Sequence, residues 1–381
     1  YLIMSILVRN ETMIYVPLQF LKPGMVLARD VASEGAFFSL LTIGEILNEN
    51  SINKLATHDV PGAYIDSEFC DDVQVEEAIS PQLKKETITQ LKNIFDEYTR
   101  KSVITTAAYR AVRKTAENLL LYALSKSDCL LNVIEIKDYD NYTYTHSMYV
   151  GILSALIAIQ LNLPKAKQLD LCTCGLLHDT GKLDISLDII NKQGKLTDEE
   201  FAIIKSHPDK AVERLKTSRS FSFEILSGIR THHERYDGTG YPLGLKGNEI
   251  PLYGRILAVA DVYDALTSKR SYRKAWTSSE AIEYMMGGAQ THFDYDVLQA
   301  FLRTVAAYPL GAIVKLSSGD MAVVIKNYPY NILRPRVRVF SGESELGQEI
   351  DLAHDFKYLN ITIEGVLEEG DDMPSILYNP Q

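Results

Sequence analysis

The spacing of apolar positions changes character twice along the chain. In the first stretch, short apolar runs are punctuated by turn residues: Val16-Pro17, Leu21-Lys-Pro-Gly24, Gly35, Gly44 and Pro61-Gly62. Strand-like Met25-Val-Leu27 and Ala63-Tyr-Ile65 lie between them, and Ser51 to Ala56 reads as a short helix capped by Asn50. Residues 1–75 therefore predict a small α+β module. From Pro81 the period lengthens, with Leu83, Ile88, Leu91, Ile94 and Phe95 at helical spacing and a second set at Val112, Ala116, Leu119, Leu120 and Ala123. Residues 76–128 read as a helical linker. Residues 129–308 continue in helical pattern, broken by Gly, Pro and Asp loops. After Tyr308-Pro309-Leu-Gly311 the period falls to two, in Ala312–Leu316, Met321–Ile325 and Arg336–Phe340. That predicts a small β module over 309–370, followed by an acidic tail at 371–381.

Composition adds limits. The length of 381 residues suits two or three domains, and 46 % hydrophobic with 23 % charged residues excludes a mainly disordered or fibrous chain. The formal charge of −11 argues against general attraction to DNA, RNA or an anionic membrane, so an anionic substrate would need cations gathered locally. Four cysteines (Cys70, Cys129, Cys172 and Cys174) are too few for a disulfide framework and fit a reducing cytoplasm. The apolar run from Tyr149 to Leu163 is short of the ~20 residues that span a bilayer. The first eight residues lack the basic leader of a signal peptide.

The chemistry gathers between positions 146 and 261. Five of the eight histidines, His146, His178, His207, His232 and His233, fall in helical or helix-end contexts. One helical histidine alone is usually a hydrogen-bonded core or surface residue. Several buried together are costly unless each ring nitrogen has a partner, and a metal ion supplies one. Asp179 follows His178 directly and offers two oxygens that can bridge two cations. The doublet His232-His233 runs into the tight loop Glu234-Arg-Tyr-Asp-Gly-Thr-Gly-Tyr-Pro242. Asp261 and Asp264 interrupt the apolar run Arg255–Leu266, where an unpaired carboxylate would be expensive. Lys269-Arg270 and Arg273-Lys274 follow as phosphate-binding candidates.

In order and kind these residues resemble the HD-GYP family of metal-dependent cyclic dinucleotide phosphodiesterases, a branch of the HD superfamily. His178-Asp179 stands as the HD pair and Gly240-Tyr241-Pro242 as the complete GYP. The resemblance covers about residues 130–308 and implies a mainly α fold, an HD-type helical bundle carrying the catalytic domain. It also implies a bimetallic site. One ion would be held by His146, His178, Asp179 and Asp261, the other by Asp179, His207, His232 and His233, with iron or manganese the expected metals. Two divalent ions, two carboxylates and a bridging hydroxide would sum to +1, enough to draw in a phosphodiester. Some family members place a Glu four residues before the first histidine and hold a third metal with it. Tyr142 stands there in this chain, so two ions are expected. Ser186 and Ala211 also replace residues often Pro and Gly in relatives.

The implied reaction is hydrolysis of cyclic di-GMP to pGpG, and onward to GMP, by a hydroxide shared between two metals. Asp179 is the central catalytic ligand, and Lys182 is expected to face phosphate rather than sit as a solvated charge. Tyr241 is open between substrate contact and loop packing, and Arg270 and Arg273 between substrate contact and a salt-bridged helix end. Cys172-x-Cys174 reads as helix packing, Glu234 and Asp237 as support for the loop, and His58, His292 and His354 as structural or surface residues. The resemblance admits GGDEF-type or other signalling protein partners and a homodimer. Around Leu21–Asp30 the amino-terminal module resembles an uncharacterised domain found ahead of HD-GYP. A second reading keeps the fold and makes the chain a catalytically weak cyclic dinucleotide sensor or protein-docking module. A third, another HD phosphohydrolase, would leave His207, His232 and His233 surplus.

Overall fold

The computed structural model describes residues 13–32, 39–58, 60–70, 79–101, 104–126, 130–131, 142–190, 192, 194–268, 275–367 and 371. Two compact units emerge. One gathers residues 1–78, 132–136 and 306–381; the other holds residues 79–131 and 137–305.

In the first unit the two ends of the chain share a core. Strands β1 (Met13–Pro17), β2 (Val31–Ala32) and β3 (Ser39–Leu41), helix α1 (Glu49–Thr57) and strand β4 (Gly62–Asp66) come from the amino-terminal stretch. Strands β5 (Ile313–Leu316), β6 (Met321–Lys326), β7 (Arg336–Ser341), β8 (Glu349–Asp351) and β9 (Ile363–Val366) form an antiparallel sheet in the order β8-β7-β6-β5-β9. β1 pairs with β4, and its Tyr15 N–H donates to the Gly311 carbonyl at 2.9 Å. Met13, Ile14, Val16, Leu27 and Ile65 are buried in one cluster with Ile313, Val323, Phe340 and Leu367. The sequence pattern marks separate modules at 1–75 and 309–370; their apolar faces are buried against each other. Small sheets rarely bury enough apolar surface alone, which gives a physical reason for the merger. α1 starts two residues earlier than its pattern suggests, because Asn48 accepts from Ser51 N–H while the Ser51 hydroxyl receives the Asn48 N–H.

The second unit is helical: α2 (Pro81–Lys101), α3 (Thr106–Ser125), α4 (Tyr142–Gln160), α5 (Lys165–Leu177), α6 (Leu187–Ile190), α7 (Asp198–Lys205), α8 (His207–Thr217), α9 (Phe223–Thr231), α10 (Leu252–Thr267), α11 (Ser278–Gly287) and α12 (Tyr295–Leu302). α4 and α10 are apolar nearly all round, the mark of central helices. α4 packs on α5 and α10, and α10 on α9. The α4–α5 crossing depends on Gly151 and Gly175, since a Cβ at Gly175 would press on the Gly151 backbone. No helix among the described residues is long and apolar enough to cross a membrane.

Candidate functional site

Four helices end or turn into one point of this bundle, and their termini set the chemistry there. The last carbonyls of an α-helix lack intrahelical partners. His178 caps α5 and its Nδ1 lies 2.8 Å from the Gly175 carbonyl; His232 caps α9 with Nδ1 2.6 Å from the Ile229 carbonyl. His207, just past α7, sets Nδ1 2.7 Å from the Ile204 carbonyl. A carbonyl only accepts, so each Nδ1 carries the proton and each Nε2 turns a lone pair inward. His146 on α4 reaches the same state differently, with Nδ1 2.7 Å from Asp264 Oδ2. Asp264 is fully buried on α10 and also accepts from the Ser268 hydroxyl at 3.2 Å.

The inward nitrogens form two pairs. His146 Nε2 and His178 Nε2 are 3.2 Å apart; His207 Nε2 and His232 Nε2 are 3.3 Å apart. Asp179 lies between the pairs. Its Oδ2 is 3.6 Å from His146 and 3.5 Å from His178, while Oδ1 is 3.3 Å from His207 and 4.0 Å from His232. Asp261 Oδ1 joins the first pair, 3.2 Å from His146 Nε2, and its Oδ2 is 3.8 Å from His233 Nδ1.

Such crowding of acceptors is unfavourable without positive charge between them. Burial holds His178 below its ordinary value and His232 well below it, the latter with repulsion from its imidazole neighbours, so protons do not fill the gap. Asp179 Oδ1 is buried and accepts no hydrogen bond. Burial pushes the Asp179 carboxyl up, yet Lys182 and His178 win and hold it well below the usual carboxylate range. Two donors bound at right angles to one ion at ~2.1 Å lie ~3 Å apart, close to the spacing within each nitrogen pair. Asp179, His207, His232 and His233 can hold one cation, and His146, His178 and Asp179 a second. The nitrogen and carboxylate donor set suits divalent transition metals.

Lys182 does not continue α5. It lies in the 3-10 turn Thr180–Asp184, where its Nζ meets Asp179 Oδ2 at 2.6 Å. That turn seats against α8, and a Cβ at Gly181 would collide with the His207 carbonyl oxygen. Next to the centre opens a cleft of about 490 Å³ lined by Lys182, Ile204, Lys205, His233, Tyr241 and His292, among others. The Tyr241 ring stacks on His233 with centroids 4.7 Å apart, and the Tyr241–Pro242 bond is cis. Glu234 accepts from the N–H groups of Leu243 and Leu245 at 2.7 and 3.0 Å, and Asp237 accepts from the Thr239 N–H and hydroxyl. Both shape the loop.

A family model described as HD domain matches residues 129–297. This segment is an HD domain. The HD-GYP resemblance agrees with the relatives found. The chain is 43 % identical over 217 residues to "Cyclic di-GMP phosphodiesterase PA4108" of Pseudomonas aeruginosa, covering 57 % of this chain and 52 % of that protein. It is 37 % identical over 198 residues to a cyclic di-GMP phosphodiesterase of Thermotoga maritima, covering 50 % and 53 %. A "3'3'-cGAMP-specific phosphodiesterase 2" of Vibrio cholerae matches at 36 % over 174 residues, 45 % of this chain and 33 % of that one. The chain spans about half the length of the first two and a third of the third. In fold it is similar to Bd1817, a HDG"Y"P protein from Bdellovibrio bacteriovorus, with TM-score 0.50 and 17 % identity over 76 % of this chain and 98 % of that one.

All seven expected ligands of the HD domain, His146, His178, Asp179, His207, His232, His233 and Asp261, meet at this centre, with Lys182 beside them. Arg270 and Arg273 lie outside the described residues, as do Cys129 and the Tyr142 side chain. Cys172 and Cys174 are buried within α5, and Cys174 Sγ approaches the Ile225 carbonyl at 3.7 Å. Two contributions were not legible as roles. Asp264 orients His146, although its place on an apolar helix three residues after Asp261 was a signal. His292, which reads as structural or surface, lines the cleft, where burial and Arg235 press its imidazole down to about 4.

Proposed function

We propose that the chain is a metal-dependent hydrolase of cyclic dinucleotides that opens cyclic di-GMP to linear pGpG, with GMP as the product of a second cycle. One observation carries this reading: the two oxygens of buried Asp179 face separate pairs of inward imidazole nitrogens. His146, His178, Asp179 and Asp261 would hold one divalent ion, and Asp179, His207, His232 and His233 the other, iron or manganese being the expected metals. When bound, such ions supply Lewis acidity toward a phosphate oxygen and lower the pKa of coordinated water toward ~7.

The protein's own residues do the rest. The backbone carbonyls of Gly175, Ile204 and Ile229 and the carboxylate of Asp264 fix the tautomers of four imidazoles, so no ring must turn during turnover. Lys182, at the cleft wall, faces the charge that develops on the phosphate as the 3′ oxygen leaves. Tyr241, braced on His233, offers the opposite wall to the nucleotide. The relatives' names support cyclic dinucleotides as the substrate class.

The test is to purify the protein without oxygen, measure metal per chain, and follow cyclic di-GMP loss and product identity by chromatography. Tight cyclic di-GMP binding with no product at any iron or manganese loading would instead establish the sensor reading. Clear turnover by the Asp179→Ala protein would overturn the bridging role.

A further inference from the structure

The cleft has a wall that the metal centre does not use. α7 buries none of its side chains, unusual for a helix in a packed domain. Its start is nonetheless firmly built: Thr197 and Glu200 form a reciprocal cap, and Glu200 pairs with Lys192 at 2.6 Å. Phe201, Ile204 and Lys205, spaced i, i+3 and i+4, all line the cleft beside His207 and His233. Phe201 is 44 % exposed. Lys205 Nζ stands over its ring at 4.4 Å from the centroid, and at 5.7 Å from the centroid of Tyr241. An ammonium is thus placed between two aromatic faces, next to the candidate metal centre.

An aromatic ring on the wall of a cleft offers a face for a planar ligand, and a cation beside it narrows the choice of that ligand. We propose that Phe201 and Lys205, with Tyr241 opposite, form a guanine-binding subsite. This rests on the cyclic dinucleotide reading above. The purine stacks on the Phe201 ring and the Lys205 ammonium turns to its O6 and N7 edge. Guanine presents two acceptors there, whereas adenine replaces one with an amino donor that would face a cation. The pair therefore selects guanine over adenine, and phosphate attack is left to the neighbouring centre. Phe201 and Lys205 touch the base and none of the reacting atoms.

The experiment compares wild type with F201A and K205M, loaded with manganese, on cyclic di-GMP, cyclic di-AMP and the base-free diester bis(p-nitrophenyl) phosphate. Stacking on one aromatic ring is worth ~1–3 kcal/mol, so F201A is expected to raise KM for cyclic di-GMP about five- to tenfold or more with kcat little changed. K205M is expected to shrink the preference for cyclic di-GMP over cyclic di-AMP by about tenfold. Neither change alters the rate on bis(p-nitrophenyl) phosphate, which has no base. An unchanged KM in F201A, or equal losses on the base-free diester, overturns the subsite while leaving the hydrolase reading intact. If wild type turns over no cyclic dinucleotide, the hydrolase reading falls alone, and equilibrium dialysis with cyclic di-GMP decides the subsite. Weaker binding by F201A supports it; unchanged or absent binding overturns it.

Discussion

Asp264 Oδ2 sits 2.7 Å from Nδ1 of His146, so a buried carboxylate that faces away from the cation positions decides how one ligand ring presents itself. Replacing it by asparagine keeps the volume but removes the charge-assisted bond and permits the other tautomer. Losses of this kind typically weaken metal binding ~10- to 100-fold. D264N is therefore expected to lower the affinity of the half-site made by His146, His178 and Asp179, leaving the His207–His232 half nearly unchanged. A metal titration that resolves two classes of site checks this; equal weakening of both would refute it.

Lys182 contacts Asp179 through one oxygen and is 35 % exposed toward the cleft. Its removal leaves all seven candidate ligands in place. K182M is expected to retain metal close to the wild-type amount while kcat on cyclic di-GMP falls ~100-fold or more, the usual effect of deleting one preorganised electrostatic contact. Loss of metal in parallel with kcat would show that the lysine acts chiefly by orienting Asp179.

Burial sets the response of the metal-stripped protein to acid. It pushes His233 down to about 3 from 6.5, against the attraction of Asp261, and His292 down to about 4, with Arg235 adding to the effect. The unfolded chain takes up these protons near pH 6.5 and the folded chain does not, so stability falls as pH drops below about 6.5. For His292 the loss is complete near pH 4, for His233 near pH 3. Above pH 6.5 neither contributes a slope. Denaturant midpoints measured in chelator from pH 8 to 4 should be flat and then decline; a midpoint that rises on acidification would contradict this.

Gly181 lies against the backbone of His207 and Ala211 with no room for a methyl group. G181A must push the 180–184 turn away from α8. Overpacking of this kind costs about 1–3 kcal/mol, so a fall in Tm of several degrees is expected together with loss of turnover. A fully stable, fully active G181A protein would show that the turn is free to shift.

Much of the fold was legible because α4 and α10 are apolar nearly all round and the apolar period falls to two after Gly311. The merged core of the first unit was not. The period of two marks Ala312–Leu316 as a strand, but it does not say what buries that strand, and contacts some 300 positions apart, such as those joining Met13 and Ile14 to the Ile313 cluster, leave no local trace. At the site, the identities of the ligands could be read from their order and kind. What orients them could not: Gly175, Ile204 and Ile229 act through carbonyls, for which side-chain type is indifferent. Phe201 and Lys205 were likewise silent, since an aromatic and a lysine on a short capped helix match any amphipathic surface segment.

α7 adds an energetic asymmetry. It is fastened at one end by its cap and at the other by the Ile204 carbonyl on His207, and its middle has almost no apolar burial to lose. Melting that one segment would be cheaper than melting any central helix, yet it would free the His207 tautomer and dismantle the Phe201 wall together. Amide exchange across 198–205 should accordingly be the fastest of any helix next to the centre, and slow markedly once cations are supplied.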